Sequence, residues 1–126
     1  MPLLSKILTG SATLLLVTAS VLAYPRLTAR LHRWQAQRHA TAATAPLATT
    51  LHEGDLIFHT SQSAQSQAIQ LATHSPYSHC GLLYKTNGKW QVFEAVQPVK
   101  LTPLASWVAR GQGGHFVVKR LRDAST

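Results

Sequence analysis

The chain has 126 residues, 45% of them hydrophobic and 13% charged, with a formal net charge of +8; these values exclude a disordered or fibrous chain and bound it to one domain. A single cysteine, Cys80, excludes an internal disulfide and a cysteine-paired zinc site. The basic residues give no nucleic-acid stripe: Arg26, Arg30, Arg33 and Arg38 cluster early, and those from Lys85 to Arg122 stand singly or in pairs without interleaved aromatics.

The first element is the uncharged stretch of residues 7–23, after Lys6 and before Tyr24 and Pro25. Its length fits a short membrane-spanning helix or a long secretory core, and Val21, Leu22 and Ala23 offer a small-residue cleavage site. Beyond Pro25, Leu27, Leu31 and Trp34 fall at helical spacing with arginines on the remaining faces. That pattern fits an interfacial helix or a solvated continuation of the first. The arginines after the span place the C-terminal part on the cytoplasmic side, whereas an exported envelope protein needs the reverse, so the orientation stays open. Residues 1–40 are thus expected as a signal or anchor with a basic amphipathic helix. Residues 41–51, small and polar around Pro46, are expected as a flexible linker to a domain at residues 52–126.

Within that domain, the apolar run of residues 55–59 after Gly54 is expected as a first strand. Ser61 or Ser63 then caps a helix running to about Thr73, ended by Ser75 and Pro76. Strands over residues 79–85 and 90–96 flank Asn87 and Gly88, the strongest short hairpin signal. Thr102 and Pro103 cap a short helix over residues 103–110, the glycines at 111, 113 and 114 break the chain, and residues 115–121 form a final strand.

A two-residue turn at Asn87 and Gly88 fixes the pairing. Thr86 faces Lys89, Leu82 faces Phe93, Gly81 faces Glu94, and Cys80 faces Ala95. Alternation then places His79, Gly81, Leu83, Val92 and Glu94 on one face, and Cys80, Leu82, Phe93 and Ala95 on the other, which is expected as plain core. His79 and Glu94 become diagonal neighbours, with Gly81 leaving room between them. A carboxylate there fixes the tautomer of an imidazole base; a rim ion pair or a satisfied polar pair fits the same pattern. His52, His59, His74 and His115 form no metal spacing, and no cofactor is expected.

The run from Gly54 to Phe58, the segment of residues 67–81 ending in Ser78, His79, Cys80 and Gly81, then Val92, Phe93, Glu94, Ala95 and Val96, and finally Pro103, Leu104 and Trp107 carry a resemblance. Together they resemble the YiiX/YaeF-like permuted papain-like amidases of the NlpC-type superfamily, over about residues 52–122. The resemblance implies an α+β fold, here an N-terminal helix followed by a partial permuted papain-like domain with a small antiparallel sheet and two short helices. It implies a cysteine hydrolase in which His79 is the general base and Glu94 its orienting partner. Its partners are a cell-envelope amide or acyl substrate and, through the N-terminal helix, the membrane; neither nucleic acid nor an oligomeric state follows.

In that family the nucleophilic cysteine lies downstream, at a helix start that this sequence does not reach. Cys80, beside His79 on a strand, is expected to point into the core on the opposite face. The expectation is therefore a truncated hydrolase, inactive alone, or alternatively a non-catalytic membrane-tethered module that binds an amide or acyl ligand. An apolar sheet face without cover is expected to limit solubility.

Overall fold

The structure is a computed structural model that describes the backbone of residues 2–122 and the side chains of residues 18–122. It divides into two compact units, residues 1–34 and residues 35–126. The first consists of helix α1, Pro2–Thr44, whose last turns belong to the second unit. Among the described residues no helix is long and apolar enough to cross a membrane. Most side chains of the apolar stretch at residues 7–23 lie outside the described residues.

The second unit is a five-stranded antiparallel sheet in the order β4-β3-β2-β1-β5, with strands β1 (Leu56–Ser61), β2 (His79–Thr86), β3 (Lys89–Glu94), β4 (Lys100–Pro103) and β5 (Gly111–Lys119). Helix α2 (Ser66–Thr73) joins β1 to β2, and α3 (Leu104–Ala109) joins β4 to β5. Sequence dictates the hairpin directly. Asn87 and Gly88 take φ of 51° and 75°, the left-handed pair of a two-residue turn whose twist matches the flanking strands. The ladder runs from Thr86↔Lys89 to Leu82↔Phe93, the register counted from the turn.

One face of this sheet is covered. Ile57, Leu83 and Val92 from the strands pack with Leu104, Trp107 and Val108 of α3 and with Ala40 and Leu51. Residues 41–51 are therefore not a flexible linker. The chain stays helical to Thr44, turns through a 3-10 segment over Ala45–Thr49, and buries Ala40, Thr44 and Leu51. The Trp90 indole donates to the Ala48 carbonyl at 3.0 Å, tying this segment to β3. A second tie is the buried Asp55, which accepts two bonds from Arg120 at 2.7 and 2.8 Å and one from the His52 amide at 2.8 Å.

The other face corrects an expectation. Leu82, Tyr84, Phe93 and Leu101 are 40–50% exposed, and Cys80 is exposed as well. The alternation holds, but the buried and open faces are the reverse of those expected. Both α3 and the segment around Ala40 pack on the side that carries His79 and Glu94, so that side is the core. Three boundaries also differ. Helix α2 starts at Ser66 rather than after Ser61 or Ser63, and Thr102 and Pro103 close an edge strand, with Pro103 also the N-cap residue of α3 but without a side-chain cap bond. The glycine-rich stretch opens β5, paired through Ser61↔Gly111, with an irregularity in register between His59 and Ser61.

Candidate active site

Strand order builds the site. In β1 and β2, His59 and His79 are direct cross-strand partners. Glu94 ends β3, on the other side of β2, with its side chain fully buried. His79, 22% exposed at its side chain, reaches across so that its Nε2 lies 2.9 Å from Glu94 Oε2. These are the two residues expected from the hairpin, on one face and in contact. Cys80 points away from them, exposed on the far face rather than buried, and its strand partner is Phe58.

Glu94 receives more than the sequence suggested. Thr102 Oγ1 donates to Oε1 at 2.5 Å, Arg110 Nη2 donates to the same oxygen at 2.5 Å, and Trp107 Nε1 donates to Oε2 at 3.0 Å. Burial pushes the Glu94 pKa up, but the bonds from Thr102, His79 and Arg110, with the Arg110 charge, outweigh it and hold the carboxyl down at about 2. Glu94 is thus a permanent anion at neutral pH. An anion that accepts from His79 Nε2 keeps the proton on that nitrogen and leaves the lone pair on Nδ1, which is the nitrogen free to take a proton from a substrate or a nucleophile.

Behind the pair stands an aromatic stack. Trp107 lies 3.8 Å from the His59 ring at 16°, and 5.7 Å from the His79 ring at 26°. Burial, with the neighbouring His79 and Arg110 opposing Glu94, lowers the His59 pKa to about 4, so His59 is uncharged at neutral pH. Sequence reasoning missed Thr102, Arg110 and His59. Thr102 reads as a helix cap, Arg110 as a surface charge, and His59 as one more histidine without metal spacing. Trp107 enters only through the family resemblance. No local pattern reveals any of them as a ligand of Glu94 or a wall of the site, because Thr102 and His59 arrive through strand pairings, and Trp107 and Arg110 through the way α3 crosses the sheet.

Beyond the end of β1 runs an open polar cleft lined by Ser61, Gln62, Ser66, Gln67, Gln70 and Gln112. It is tied to the site through Ser78, the residue before His79. The Ser78 hydroxyl accepts from the Ser61 amide at 2.8 Å and lies 2.6 Å from Ser66 Oγ. The cleft offers uncharged donors and acceptors only.

The sequence model of the permuted papain-like amidases, the YaeF/YiiX, C92 family, matches residues 50–126. The chain belongs to this family. Over 68 residues it is 59% identical to the uncharacterized protein YiiX of Escherichia coli strain K12, a match that covers 54% of this chain and 34% of YiiX. The crystal structure titled metalloprotein yiiX from Escherichia coli O157:H7 superposes with a TM-score of 0.57 at 55% identity, over 60% of this chain and 42% of that one. The chain therefore spans well under half the length of the relatives it matches. Within the YaeF/YiiX match lie all the residues of the site, from His59 to Gln112.

Proposed function

We propose that residues 50–126 supply the base half of a cysteine amidase site, with His79 as general base and Glu94 as the anion that orients it. The observation that carries this reading is the 2.9 Å contact between His79 Nε2 and a Glu94 carboxylate already fixed by three other donors. That arrangement supports proton abstraction at Nδ1 by a ring held in one tautomer. The thiolate comes from the part of the fold that the match does not reach, because Cys80 occupies the opposite face of β2. The reaction is acyl transfer: the thiolate attacks an amide or ester carbonyl, the imidazolium returns its proton to the leaving group, and water, deprotonated by the same ring, releases the acid. A cell-envelope amide is the proposed substrate class, and membrane association through α1 is proposed from its apolar sequence; carbonate extraction of membranes tests the latter.

The His79–Glu94 pair as placed does not fit a metal ion. Every Glu94 oxygen and His79 Nε2 are already in hydrogen bonds, Arg110 places a cation beside them, and the described residues hold no group of three His, Cys, Asp or Glu able to bind a metal.

The test is complementation. The chain is co-expressed with the remainder of YiiX that it does not match, and the complex is treated with an electrophilic acyl probe at neutral pH. Labelling of a cysteine in the YiiX segment that disappears with His79→Ala supports the assignment. Equal labelling in both would refute it.

A further inference from the structure

We propose that His59 is a positioning residue for the His79–Glu94 pair, acting through the indole of Trp107. This rests on the reading of His79 as base and Glu94 as its orienting anion, and it assigns a function to a buried side chain that the base mechanism does not use. His59 is an anomaly: it is 2% exposed, and its Nδ1 is buried without any hydrogen-bond partner. Such orphans are uncommon in native proteins and cost stability, so a flat ring is being kept at this point despite its polar atom.

What the ring touches explains its retention. One face lies against Trp107 in a near-parallel stack at 3.8 Å. One edge lies against Gly111 of β5, so tightly that a methyl group on residue 111 would sit 2.8 Å from His59 Nδ1 and 3.1 Å from Cγ. The five-membered ring is thus wedged between strand β5 and the indole. Trp107 in turn donates Nε1–H to Glu94 Oε2, the same oxygen that His79 Nε2 contacts. The angle at which that oxygen meets His79 therefore depends on where the indole lies, and the indole rests on His59.

The groups facing His59 are His79 from β2, Glu94 from β3, and Arg110 at the end of α3. A wedge carrying charge here would compete with His79 for Glu94. An uncharged aromatic ring sets the indole without doing so, and burial beside two potential cations keeps this imidazole uncharged.

The experiment uses the full chain, labelled with nitrogen-15, and reads two signals that need no activity: solvent exchange of the Trp107 indole N–H, and the tautomer of the His79 ring. His59→Ala removes the wedge, and Gly111→Ala displaces it from the opposite strand while leaving the imidazole in place. The expected result is indole exchange faster by about tenfold or more in both variants, as a local opening would give, with loss of the single His79 tautomer. The double variant is no worse than His59→Ala alone, since the displaced ring is already gone. A merely structural wedge would lower the melting temperature of both variants and leave both signals of the folded protein as in the native chain; that outcome overturns the proposal. If His59→Ala does not fold, Gly111→Ala alone decides by the same signals. Loss of acyl-probe labelling upon His79→Ala stands or falls separately, so failure of this inference is distinct from failure of the base assignment.

Discussion

Replacing Glu94 by glutamine removes one charge from the centre of the site while keeping the shape of the side chain. Native Glu94 accepts from four donors: Thr102 and Arg110 at Oε1, His79 and Trp107 at Oε2. An amide offers one oxygen and one NH2 group, so whichever way it turns, its NH2 faces one side chain that can only donate, Arg110 or Trp107, and a second, Thr102 or His79, that must reverse its role. Hydrogen bonds to a charged group contribute roughly 1.5–3 kcal/mol each, and removing one partner of a buried ion pair costs roughly 3–5 kcal/mol. Titration gives a second route to the magnitude. The folded carboxyl is held at about 2 against its ordinary 4.5, and 2.5 pH units at about 1.36 kcal/mol each is about 3 kcal/mol. The two routes agree on about 3 kcal/mol, which for a domain of this size lowers the melting temperature by roughly 12–24 °C.

The sign of the pH dependence follows from the same shift. Because the folded pKa lies below the unfolded one, the stabilisation is complete above pH 4.5 and is lost as pH falls from 4.5 toward 2. Urea unfolding of native chain and Glu94→Gln across pH 2–8 measures both quantities. Stabilities that differ by less than about 1 kcal/mol at pH 7, with parallel acid limbs, would refute the reasoning.

Three further outcomes are expected. His59 is held at about 4 against its ordinary 6.5, so the unfolded chain takes the proton first and stability falls as pH drops from 6.5 toward 4; His59→Leu removes about 3 kcal/mol of that slope in the same unfolding series. Gly81→Ala drives a methyl group into the Val92 side chain and to 3.0 Å from the Phe93 carbonyl oxygen, which costs roughly 1–3 kcal/mol in denaturant unfolding. Cys80, exposed on the far face, reacts with a thiol reagent in the folded chain, and Cys80→Ser changes stability by no more than about 0.5 kcal/mol.

What the sequence made legible was local. Asn87 and Gly88 impose a turn, the turn imposes a register, and the register puts His79 and Glu94 on one face of the sheet. The choice of which face is buried was not legible, because Cys80, Leu82 and Phe93 are at least as apolar as the residues opposite them. Burial is decided by where α3 and the segment around Ala40 pack. For the same reason the short β4 reads in sequence as part of a cap. Thr102 has a hydroxyl suited to either duty, and the buried Glu94 anion claims it. Leu51 shows the complementary error: its small and polar neighbours suggest a linker, yet its side chain, with Ala40 of α1, completes the core.

Whether His79 can serve as the base depends on the protonation of its ring. Nitrogen-15 imidazole spectra of the full chain, with His79 assigned by substitution, report which nitrogen carries the proton in the neutral form. A proton on Nε2, with Nδ1 bare, is the result expected from the bond to Glu94 Oε2. A proton on Nδ1, or rapid averaging between the two nitrogens, would contradict it.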